Sequence, residues 1–105
     1  MAPFINPEVM DQTVNEGDMA SFTCEATGEA IPTISWYFNS VSVNNETNVD
    51  KYDISQSSLN FTVTSTLIIM NVESSDVGIY TCNATNLVSS DLSFGVLTVN
   101  GELLL

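Results

Sequence analysis

The stretch "DVGIYTC", residues 76–82, decides how the rest of the chain is read. Tyr80 and Cys82 fall on one side of an alternating run that continues to Ala84, while Ile79, Thr81 and Asn83 fall on the other. Strict period-two alternation of this kind marks a β-strand with one covered face. "ESSD" just before it (residues 73–76) has the composition of a turn or a single helical turn.

Working outward, "ASFTCEA" (20–26) repeats the pattern, with Ala20, Phe22, Cys24 and Ala26 on the covered side. "TISWYF" (33–38) puts Ile34, Trp36 and Phe38 together and leaves Ser35 and Tyr37 opposite, and "TGEAIP" before it has the glycine and proline of a turn. "LNFTVTSTLIIMNV" (59–72) predicts one long strand with Leu59, Phe61, Val63, Leu67 and Ile69 inward and Asn60, Thr62, Thr64, Thr66, Ile68 and Met70 outward. The polar run "NSVSVNNETNVDKYD" reads as a short edge strand at 41–43 followed by a loop. "LSFGVLTV" (92–99) closes the chain, with Gly95 as a place for a bulge or a crossing. At least seven short strands without crossover helices predict an all-β architecture, two antiparallel sheets packed face to face. Residues 1–100 form one domain, and "GELLL" (101–105) reads as a linker or the start of a following domain.

Cys24 and Cys82 both have inward parity, where a bridge between sheets must lie, and Trp36 follows the first by 12 residues, as an indole packed on that bridge would. Two cysteines without a histidine fall short of a zinc site. Glu46, Asp50 and Asp53 share one loop region but lack the ordered Asp, Asn and Gly spacing of a calcium loop, so no metal or cofactor is expected.

Charge removes further classes of function. Thirteen acids stand against Lys51 alone, a net charge of −12. Such a surface repels phosphate backbones and anionic headgroups, so neither nucleic acid nor the membrane surface is an expected partner. No apolar run is long enough for this domain to insert directly into a bilayer. With no histidine and no phosphate-binding glycine loop, catalysis lacks its usual bases and cradles, and the chain is read as non-enzymatic.

Cys24, Trp36, Leu67, Asp76, Gly78, Tyr80 and Cys82 together resemble the hallmark pattern of the immunoglobulin fold. The segments "NEGDMASFTCEATGEAIPTISWYF" (15–38) and "STLIIMNVESSDVGIYTCNATN" (65–86) are similar to its intermediate set, found in adhesion molecules, receptor ectodomains and some sarcomeric proteins. The resemblance implies that Tyr80 turns its hydroxyl back onto the preceding corner. It also implies that Gly78 bends the chain into its strand and that Asp76 pairs with a base, here Lys51. Relatives often place glycine in the last hairpin, where this chain has Ser89 and Ser90 after Asn86.

Three N-glycosylation sequons occur, at Asn45 ("NET"), Asn60 ("NFT") and Asn83 ("NAT"). With a disulfide they point to an extracellular location. The expected role is a non-catalytic recognition or adhesion module, part of a multidomain receptor or adhesion ectodomain. Its partners would be a protein ligand or a second copy of itself, together with adjacent domains of the same chain. Candidate contacts are Tyr37 and Ile79 on one sheet and Ile68 and Met70 on the other. The alternative is a structural spacer of extracellular matrix or of an intracellular muscle-type filament.

Overall fold

A computed structural model describes residues 1–44 and 50–100. Nine strands follow in chain order: β1 (Phe4–Ile5), β2 (Gln12–Asn15), β3 (Ala20–Thr27), β4 (Thr33–Phe38), β5 (Val41–Val43), β6 (Tyr52–Leu59), β7 (Thr62–Ile69), β8 (Gly78–Thr85) and β9 (Ser90–Asn100). Ser74–Asp76 form one 3-10 turn between β7 and β8. A four-stranded sheet is ordered β1-β3-β7-β6 and a five-stranded sheet β2-β9-β8-β4-β5.

Alternation explains why these strands stack as a sandwich. The inward rows of β3, β4, β7 and β8 put Phe22, Trp36, Leu67, Ile69 and Tyr80 between the sheets, each almost fully buried. Tyr80 stacks on Phe22 at 5.0 Å and on Phe38 at 4.7 Å between ring centroids. Ring stacking at that spacing is favourable beyond the area the rings remove from water. Among the described residues no helix is long and apolar enough to cross a membrane.

Three expectations need correction. Residues 59–72 are not one strand: Leu59 ends β6, Asn60 turns with φ 58°, and Thr62 begins β7, so Leu59 and Phe61 are exposed at a hairpin tip. Asparagine tolerates that left-handed conformation, which is why the chain reverses there. The sheets are also not wholly antiparallel, since β2 pairs parallel with β9, Val14 beside Val99.

Gly95, finally, makes no bulge. The β8–β9 ladder runs unbroken through its pairing with Tyr80. A Cβ there would lie 2.8 Å from both the Phe22 ring and Val9, so the glycine makes room for close packing. The first half of the inward row of β9, Asp91, Ser93 and Gly95, is polar or small for a related reason: β1 and the segment joining it to β2 lie against it, while Leu97 further along enters the core. Asp91 accepts a hydrogen bond from the Ile5 N–H at 2.9 Å, and Ser93 Oγ accepts one from the Val9 N–H at 2.8 Å. Buried backbone donors of a segment that changes sheets are satisfied in this way.

Candidate functional site

Cys24 on β3 and Cys82 on β8 carry the one covalent tie between the sheets, with Cα atoms 6.4 Å apart. Trp36 lies directly beside Cys82 in the β4–β8 ladder. Its indole N–H donates to Ser65 Oγ at 2.9 Å, deep in the core. Ser65 escaped the sequence reading. Its signal is a hydroxyl residue in the inward row between Val63 and Leu67, which requires a buried partner.

At the base of β8, Asp76 is buried and Lys51 Nζ lies 2.7 Å from its carboxylate. The same carboxylate accepts from the Glu73 N–H at 2.8 Å, and the Asp76 carbonyl accepts from the Tyr80 hydroxyl at 2.8 Å. Lys51 also donates to the carbonyls of Met70, at 3.3 Å, and Asn71, at 3.1 Å. One ammonium thus ties the end of β7 to the 3-10 turn that leads into β8. Gly78 acts here through space: a Cβ would fall 2.7 Å from the Phe38 ring and from Asn39 Oδ1, which accepts the Ile79 N–H at 2.9 Å.

Burial alone would pull the Lys51 ammonium down, but the hydrogen bonds and charges of Asp76 and Glu73 outweigh it, and its pKa lies above the ordinary lysine value. Burial, then the Asp76 charge, pushes the Tyr52 phenol up. Burial, then Tyr52 and Asp76, pushes Tyr80 up strongly. All three folded pKa values exceed their unfolded ones, so the folded chain holds more protons than the unfolded chain once pH passes about 10. Stability is therefore fully present below that pH and is lost as pH rises through the folded values. Urea melts should give a constant midpoint from about pH 7 to 9 and a falling one above about 10. Lys51→Met should cost about 2 kcal/mol at neutral pH, below the range for a fully buried pair because the lysine is a quarter exposed. A midpoint unmoved by that change would show that the corner does not depend on the pair.

The two outer faces differ in chemistry. On the four-stranded sheet, facing threonines bond one another, Thr27 with Thr62 at 2.8 Å and Thr23 with Thr66 at 3.3 Å. Ile68 and Met70 lie on that side and are half-buried. On the five-stranded sheet Leu92, Phe94 and Val96 follow one another along the outer row of β9, with Val96 opposite Ile79 of β8, and all four are exposed. Phe94, Thr81 and Tyr37 form one rung across three strands, Tyr37 being half-buried. Parity alone does not single out the exposed trio of β9, because both rows of that strand carry apolar residues.

The β8–β9 hairpin needs no glycine. Asn86 Oδ1 accepts from Val88 N at 2.9 Å and Ser89 N at 3.3 Å, and its Nδ2 donates to the Ala30 carbonyl at 2.8 Å. The asparagine shapes the turn with its side chain.

Of the three sequon residues, Asn60 is exposed at the β6–β7 tip and Asn83 is half-buried on the outer row of β8, while Asn45 lies outside the described residues. Asp50 and Asp53 are exposed, and Glu46 is likewise outside them. Among the described residues no three acidic or other ligand side chains converge as a metal set.

The Immunoglobulin I-set domain family model matches residues 3–99. The chain is 33% identical over 100 residues to vascular endothelial growth factor receptor 1 of Gallus gallus, covering 95% of this chain and 7% of the receptor. It is 35% identical over 89 residues to cell adhesion molecule Dscam1 of Drosophila melanogaster, covering 85% of this chain and 4% of that protein. A solved structure of titin Ig tandem domains superposes with a TM-score of 0.79 at 32% identity, over 95% of this chain and 48% of that one. The chain therefore spans a small fraction of the receptor and adhesion proteins it matches. With the inter-sheet disulfide, the Trp36 packing and the Tyr80 corner in place, it belongs to the immunoglobulin I-set domain family.

Proposed function

We propose that this domain is a non-catalytic extracellular recognition module that docks a protein partner through the ridge of Ile79, Leu92, Phe94 and Val96. One observation carries the reading: in a chain of net charge −12, no outward-facing residue of β4, β8 or β9 is charged, and four exposed apolar side chains cluster there. Depletion of charge with aromatic and aliphatic enrichment is the composition of an interface centre. The receptor and adhesion relatives support an extracellular setting within a multidomain ectodomain. Ile68 and Met70, half-buried among threonines, offer less apolar surface than the β8–β9 ridge.

The likeness to titin domains favours a second reading, a spacer in a filament. The state of Cys24 and Cys82 separates the two. Protein from secretory expression should carry a closed disulfide and sugar, and free thiols without sugar would favour the spacer.

A screen against cell-surface ectodomains tests the ridge. A partner found there should lose about 30-fold in affinity on Phe94→Ala, the effect of removing a hot-spot aromatic. Met70→Ala on the opposite sheet should leave it unchanged. The reverse pattern would place the contact on the four-stranded sheet and overturn the assignment.

A further inference from the structure

Asn83 occupies a singular place in the five-stranded sheet. It sits on the central strand β8, between Ser35 of β4 and Leu92 of β9. The Thr85 hydroxyl donates to its Oδ1 at 3.1 Å, which engages the oxygen of the carboxamide. Beside it the β4 side of the face dips into a shallow concavity of about 550 Å³. Thr33, Ser35 and Thr85 contribute hydroxyls, and Tyr37 lies toward one end of β4, with Ile31 and Leu87 toward the other.

We infer that the inner two N-acetylglucosamine residues of a glycan on Asn83 lie in this concavity, covering its β4 side and leaving the β8–β9 ridge open. The inference rests on the extracellular reading above. A pyranose ring presents C–H groups on its faces and hydroxyls at its rim. Tyr37, Ile31 and the N-acetyl methyl suit one another, and the threonine and serine hydroxyls suit the rim. No charged side chain lines the concavity, so none is stripped of water when the sugar settles. Its volume lies within the roughly 300–1,000 Å³ of sites that hold small ligands.

Asn60 provides the contrast. The hollow beside it on the hairpin tip includes the Glu25 carboxylate and no aromatic wall, so a sugar there has nothing comparable to rest on. The two glycans therefore differ in kind: one projects and one packs. A packed sugar gives the face a divided surface, in which Tyr37 belongs to the sugar and Phe94 to the partner.

The test uses the glycosylated chain from secretory cells, with Asn83 occupancy read by mass spectrometry and sugar contacts by nuclear Overhauser effects. The expected result is a cross-peak between the N-acetyl methyl of an inner sugar and the Tyr37 ring. With it should come a fall in Tm on the order of 3 °C on Asn83→Gln. In a Tyr37→Ala background the same Asn83→Gln change should leave Tm unmoved. An empty Asn83, or an occupied one whose sugars give no contact with Tyr37 or Ile31, would overturn the inference. Neither outcome depends on finding a protein partner, so failure of the ridge assignment is scored separately by the Phe94→Ala affinity.

Discussion

The chain carrying Cys24→Ala with Cys82→Ala should lose about 4 kcal/mol of stability. The bridge closes a loop between residues 58 positions apart. Opening it returns that loop's conformational freedom to the unfolded ensemble, which is the origin of the loss on the chain-entropy account. Small domains are stable by only about 5–15 kcal/mol, so the change removes a large share of what holds this one together. Chemical denaturation of the oxidised and double-alanine chains measures it. A difference below about 1 kcal/mol would mean that the sandwich is held by packing alone. The same measurement bears on function: a spacer in a reducing compartment would have to live with the lower value.

Trp36→Ala should cost about 4 kcal/mol, within the range for deleting a fully buried aromatic. The indole is 1% exposed and fills the space beside Cys82. Its loss leaves a cavity and also strands the Ser65 hydroxyl, which is fully buried and has the indole N–H as its donor. The two contributions can be separated. Trp36→Phe keeps most of the volume and removes the hydrogen bond, so it should cost about 2 kcal/mol, much of it from the unpaired hydroxyl. Adding Ser65→Ala to Trp36→Phe should then recover part of that loss. A double change worse than Trp36→Phe alone would show that Ser65 contributes through something other than its bond to the indole.

How far the structure could be read from the residues depends on where each segment sits. β3, β4 and β8 are half-covered strands near the middle of their sheets, and their alternation translated directly into burial of Cys24, Trp36 and Tyr80. β6 is an edge strand whose sequence, "YDISQSSL", is mostly exposed, so it carries almost no periodic signal: Tyr52 and Asp53 read as the end of the preceding loop and Leu59 as the start of the next strand. The hairpin at Asn60 was hidden because Leu59 and Phe61 continue the apolar alternation of β7 while pointing into solvent. β1 and β2 hold only short ladders whose partners are distant in sequence, and nothing local specifies them.

The site divides in the same way. Residues that answer to the core, such as Asp76 with Lys51, followed from the family pattern. Those that answer to a neighbouring segment, Ser65 with Trp36 and Gly95 with Val9, require the third dimension. The exposed ridge is the extreme case, since Leu92, Phe94 and Val96 become a surface only when β8 lies beside β9 in register.

Lys51 is the one lysine of the chain, and its amine is held among two carbonyls and two carboxylates. Acylating that nitrogen would require those contacts to open first. Any reagent or enzyme that modifies lysine side chains would thus act as a gauge of corner opening, and coupling the domain to a solid support through that amine would immobilise molecules with the joint pulled apart.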